Sequence, residues 1–167
     1  MSAPAKARER SFSWEDPAQA ARVGAQLAGL EYLRRIRDGT LPKPPVAAMM
    51  GFELVAVEPG GAVFAMQPEE WHYNPIGSVH GGVVATLLDS CMGCAVHTLL
   101  DAGVGYTTTD LQVRYLRPLA ADTGRVLAEG SVVHLGRRLA TAEGRVWAEV
   151  EPERLLAHGS TGVAIMR

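Results

Sequence analysis

The sequence predicts an α+β domain in which an antiparallel sheet curls about one buried helix. Three observations carry this expectation. From Val83 to Leu100 nearly every residue is apolar or small on all sides, the pattern of a helix buried all round. After it, Tyr106 to Pro118, Arg125 to Leu135, Arg138 to Val150 and Leu155 to Met166 are rich in β-branched and aromatic residues with partial period-2 alternation. Two shorter segments of the same kind precede it, and together the strands make a sheet long enough to wrap a single helix.

In chain order, residues 1–12 are small, charged and aperiodic and read as a flexible tail. Ser13 is placed as an N-cap, with Glu15 and Asp16 in the first turn and Pro17 close behind. A helix then runs to Asp38 along an apolar stripe of Val23, Leu27, Leu30, Leu33 and Ile36. Gly24 and Gly29 each weaken it by about 1 kcal/mol, so it depends on docking. Gly39 ends it, and Leu41 to Pro45 is a stiff connector, so residues 13–44 form a unit ahead of the main domain, 45–167. A covering helix is the simple reading of this unit; a lid or substrate-channel role is the alternative. A helical turn at Val46 to Met50 leads into a hairpin. Phe52, Leu54 and Val57 run out, Glu58-Pro59-Gly60-Gly61 turns, and Ala62 to Met66 returns. Ala120 to Gly124 and His134 to Arg137 are turns between the later strands.

At 167 residues and 47% hydrophobic, the chain suits one full core. A net charge of −2 and a pI near 6.2 give no basic footprint for nucleic acid or an anionic membrane surface. No apolar run is long enough to span a bilayer, and Met1 to Arg10 lacks the apolar core of a signal peptide, so a cytoplasmic location is expected. Cys91 and Cys94 are too close in sequence for a disulfide framework. With His97 they suggest zinc, but a fourth ligand is missing and the surroundings are apolar, so core packing is expected and no metal or cofactor.

The chemistry concentrates where the polar, glycine-rich loop Asn74 to Gly82 feeds the buried helix. Asp89 is a lone carboxylate on that helix, and burying a charge without a partner costs several kcal/mol. Gly81 and Gly82 present backbone N–H groups at the positive end of the helix, suited to a developing oxyanion. Gly82 and Asp89 are seven residues apart, about 10 Å along the axis, too far for one carbonyl to touch both. Two such helices packed antiparallel would bring the Asp89 of one copy to the glycines of the other.

As a set, Gly51-Phe52, Pro59-Gly60, Asn74-x-x-Gly77-x-Val79-His80-Gly81-Gly82, Leu87-x-Asp89 and Tyr115-Leu116-Arg117-Pro118 resemble the hotdog-fold acyl-CoA thioesterases of the PaaI-like (phenylacetic acid degradation) family. The resemblance runs from about Pro45 to Arg167 and leaves the N-terminal helix as this chain's addition. It implies hydrolysis of an acyl-CoA to free acid and CoA at a site between subunits. Gly81, rather than Gly82, would be the oxyanion donor. Asp89 of the other subunit would be nucleophile or general base, two roles the sequence does not separate. Asn74 would hold the attacking water or the thioester group, and His80 would shape the loop. A hydroxyl near the start of the strand after the helix is also implied; Thr108 falls nearest among Thr107 to Thr109.

Gly82 is a further substrate-binding candidate, and Arg137 and Arg138 are placed to meet CoA phosphates. Trp71 and Tyr73 are candidates for lining an acyl pocket. The partners implied are acyl-CoA and at least one further copy of the chain, with tetramers common. A thioester carbonyl is already activated, so one donor and one carboxylate can suffice without a Gly-x-Ser-x-Gly nucleophile elbow, and none is present. An enoyl-CoA hydratase of the same fold is an alternative, but its His would follow Asn-Pro-x directly, where Gly77 stands. A non-catalytic acyl-CoA-binding protein is the third reading.

Overall fold

The computed structural model describes residues 7–167, so the first half of the tail expected over 1–12 lies outside the described residues. Residues 7–12 have no regular structure, yet Arg10 lies over the Trp71 ring, 3.4 Å from its centre, and donates to the Met49 carbonyl.

The N-terminal helical segment is in two pieces, α1 (Pro17–Gly24) and α2 (Gly29–Arg37). Asp16, not Ser13, caps the first; its carboxylate accepts from the Ala18 N–H at 2.9 Å, with Pro17 opening the helix. The break has a steric cause at each glycine. A Cβ at Gly24 would meet the Tyr32 ring at 2.7 Å, and one at Gly29 would fall 1.8 Å from the His97 carbonyl oxygen. The Gly29 N–H donates to the Leu100 carbonyl at 2.9 Å, so α2 starts where it docks.

The connector and a short helix, α3 (Pro45–Met50), lead to the hairpin β1 (Phe52–Glu58) and β2 (Gly61–Met66). The long helix α4 (Gly81–His97) follows, then β3 (Gly105–Tyr115), β4 (Val126–Leu135), β5 (Leu139–Ala148) and β6 (Glu151–Met166). The six strands form one antiparallel sheet in the order β1-β2-β4-β5-β6-β3. The last strand begins before the expected Leu155. Its register slips around Trp147 and Pro152 stands in the irregular stretch, where a missing N–H is tolerated.

The sheet wraps α4, whose Leu87, Leu88, Cys91, Met92, Ala95 and Val96 have no solvent exposure. The close fit depends on three glycines in register, Gly130 on β4, Gly144 on β5 and Gly159 on β6. A Cβ at Gly130 would come within 2.4 Å of the Cys91 backbone, and one at Gly144 within 3.0 Å of Leu88 and Met92. Among the described residues no helix is long and apolar enough to cross a membrane.

Candidate active site

Asp89 lies midway along α4, on the side that faces β3. The Thr108 hydroxyl donates to its Oδ1 at 2.8 Å. A bulge selects Thr108 from the threonine run. Thr108 pairs with Val163 and Asp110 with Gly162, leaving Thr109 as the extra residue. The bulge switches which parity faces the helix. Tyr106 and Thr108 are inward before it, Leu111 and Val113 after it. Gly162 leaves room for the bulge, since a Cβ there would lie 2.3 Å from the Asp110 carboxylate.

The loop at the start of α4 is a self-contained structure. Asn74 Oδ1 accepts from the Ile76 and Ser78 N–H groups at 3.0 and 3.2 Å, and its Nδ2 donates to Ser78 Oγ at 3.0 Å. Gly77 takes a positive φ of 86°, which a side chain would strain. His80 is the helix N-cap, and its Nδ1 accepts from the Gly82 N–H at 2.9 Å. That fixes the Nε2–H tautomer and uses up the Gly82 donor. The Gly81 N–H has no acceptor among the described residues. Tyr115 secures the other side of this turn by donating to the Gly81 carbonyl at 2.9 Å.

Along α4 the Gly81 and Asp89 positions are separated by about 12 Å of helix rise. One chain therefore brings Asp89 and Thr108 together but holds Asn74, His80, Gly81 and Gly82 apart from them. Asp89 and Thr108 border a cavity of about 320 Å³ to which none of those four contributes. Apolar side chains of β1 and β2, Phe52, Leu54 and Phe64, line it, with Gly93, Cys94 and Tyr106 beside the acid. Burial pushes the Cys94 thiol up to about 12, so it is neutral near pH 7 and offers no thiolate nucleophile. A large part of the cavity wall comes from residues that precede β1, a contribution the sequence pattern left as one option among two.

Other expected positions lie elsewhere. Arg137 and Arg138 are exposed on the β4–β5 turn and in no ion pair with a described residue. The Arg138 carbonyl accepts from Ile165, which pairs with Tyr106, so this turn sits at the same end of the sheet as Thr108. Trp71 packs against His72 and under Arg10, and the Tyr73 hydroxyl accepts from Ala121; neither borders the Asp89 cavity.

Comparison with known proteins points to one group. The sequence model of the thioesterase superfamily matches residues 76–154. Human acyl-coenzyme A thioesterase 13 is 34% identical over 85 residues, which are 48% of this chain and 60% of that protein. The chain spans from 44% to 60% of the length of the first curated relatives it matches. A mutant of the phenylacetic acid degradation protein PaaI from Thermus thermophilus superposes with a TM-score of 0.64. It is 31% identical, covering 72% of this chain and 98% of that one. A thioesterase family protein from Silicibacter pomeroyi gives a TM-score of 0.71 at 25% identity, covering 80% and 98%.

Proposed function

The chain belongs to the thioesterase superfamily, with the hotdog fold of its PaaI-like members, and from that premise we propose that it hydrolyses an acyl-CoA thioester to the free acid and CoA at a site formed between two copies. One observation carries this reading. Two complementary groups sit on one helix, about 12 Å apart: Asp89, held by Thr108 at an apolar cavity, and the Gly81 N–H, free of any acceptor among the described residues.

Antiparallel pairing of two α4 helices puts the acid of one copy beside the glycine donor of the other. Thr108 occupies Asp89 Oδ1 and leaves Oδ2 for chemistry. With Asp89 as base, water adds its oxygen to the carbonyl carbon while a water proton passes to the carboxylate. The carbonyl electrons move onto oxygen, where the Gly81 N–H donates to the oxyanion. Collapse breaks the C–S bond, and the departing CoA thiolate takes the proton back from Asp89. With Asp89 as nucleophile, the carboxylate adds first and water then opens the resulting anhydride; the same donor and leaving group serve. In either route His80 and Asn74 hold the loop that aims the Gly81 N–H, and the second Asn74 amide hydrogen is available to the water or the thioester. Arg137 and Arg138 meet CoA phosphates at the rim.

Replacing Asp89→Ala removes base and nucleophile together. Thiol release from acyl-CoA is expected to fall by about a thousandfold or more, with the circular dichroism spectrum unchanged. Full turnover by that variant would refute the assignment.

A further inference from the structure

The cavity beside Asp89 has a wall that no thioester chemistry requires. Leu33 and Ile36 of α2, with Pro44 of the connector and Val46 and Ala47 of α3, line the cavity beside β1. All lie outside the segment that the superfamily model matches. We propose that α2 and its connector cap the acyl cavity, with Leu33 and Ile36 as specificity-determining residues that limit the substrate to an apolar acyl group of about two benzene rings in bulk. This inference rests on the thioesterase reading above.

The wall is docked on the body of the fold. Gly29 seats against the His97 carbonyl and bonds the Leu100 carbonyl. The Tyr32 ring lies 5.6 Å from that of His97, which lies 5.0 Å from that of Tyr106. Residues 29, 33 and 36 form the buried face of α2, with Leu33 only 3% exposed and Ile36 8%. These anchors seat Leu33 and Ile36 in the same cavity as Asp89, so the wall acts as a stop.

Volume and charge define what fits. A cavity of about 150 Å³ is enough to hold benzene, so the space of about 320 Å³ suits an acyl group of roughly twice that bulk. The cations at its edge are committed elsewhere. Lys43 pairs with Glu53 at 3.4 Å and Arg37 with Asp38 at 2.8 Å, so among the described residues of one chain both cations that line the cavity already face a carboxylate, which disfavours a second carboxylate on the acyl group. A medium-length alkyl chain and a bicyclic aryl group share the required chemistry.

Thiol release is measured over acetyl-, octanoyl-, 2-naphthoyl- and palmitoyl-CoA for the wild type, Leu33→Ala and Ile36→Trp. In the wild type, octanoyl- or 2-naphthoyl-CoA is expected to exceed both acetyl- and palmitoyl-CoA in kcat/KM. Ile36→Trp should lower kcat/KM on the preferred ester by about tenfold or more relative to acetyl-CoA, whereas Leu33→Ala should raise palmitoyl-CoA relative to the preferred ester. Which of the two medium esters leads distinguishes alkyl from aryl substrate. An unchanged ranking in both folded variants overturns the wall while leaving the hydrolase reading intact. If the wild type releases no thiol from any ester, that reading falls, and the wall is decided by calorimetry. In the Asp89→Asn background octanoyl- or 2-naphthoyl-CoA should bind at least about tenfold tighter than acetyl-CoA, and adding Ile36→Trp should erase that margin. A margin that survives Ile36→Trp, or is absent without it, overturns the wall.

Discussion

Thr108 spends its single hydroxyl proton on Asp89 Oδ1, which orients the carboxylate without neutralising it. Thr108→Val keeps the shape and removes that bond. A hydrogen bond to a charged group is worth enough that kcat should fall about 10- to 100-fold in a thiol-release assay, with KM little changed. Thr108→Ser should restore most of it. The same residue marks how far sequence reasoning reached. It singled out Asp89, the glycine loop and a run of three threonines, but which threonine meets Asp89 depends on the bulge at Thr109, a register slip set across the sheet by Gly162 and Val163. The preference for Gly81 over Gly82 likewise rests on resemblance, and the bond from the Gly82 N–H to the His80 ring supports it only through a contact that spacing does not reveal. Neither fact follows from residue type and spacing alone.

Each element reports a different balance of local and tertiary causes. The strands and α4 were legible because their apolar pattern is what burial demands. The single helix expected over 13–38 is broken between Gly24 and Gly29, where the close approach of Tyr32, on the next helix, and of His97, distant in sequence, leaves no room for a side chain. The glycines under α4 are the converse case, ordinary in sequence and decisive in packing. Gly130→Ala would push a methyl group into the Cys91 backbone, which cannot rotate away. The expected cost is about 3 kcal/mol, a melting temperature lower by about 10 °C in scanning calorimetry. Two histidines set a pH dependence of stability. Burial lowers the pKa of His72, against Met50, Glu69 and Arg10, and that of His97, between the Tyr32 and Tyr106 rings and three residues after Cys94 on α4. The unfolded chain binds these protons more readily, so the stability is whole above the free imidazole value of about 6.5 and drains as pH falls below it. The melting temperature should therefore drop between about pH 7 and about pH 5, and by less in His97→Phe, which keeps the ring contacts without the titration.

At the scale of the whole molecule, the proposed roles of Asp89 in the middle of α4 and of the Gly81 N–H at its start would make function a property of pairs of chains. The pairing can be tested by complementation. Asp89→Ala removes the acid. Gly81→Pro removes the donor at the first helical position, where proline is tolerated, and requires the Tyr115 ring, 3.1 Å from the added Cβ, to yield by a few tenths of an ångström. Each variant alone should be nearly inactive. When the two are denatured together and refolded as a mixture, a mixed pair has one site carrying both lesions and one carrying neither. Random pairing makes half of all pairs mixed, so recovered thiol release should approach about a quarter of the wild-type rate per chain. If acid and donor acted within the same chain, every site would carry one lesion and mixing would restore nothing. The separation of about 12 Å along α4 is the structural reason to expect recovery.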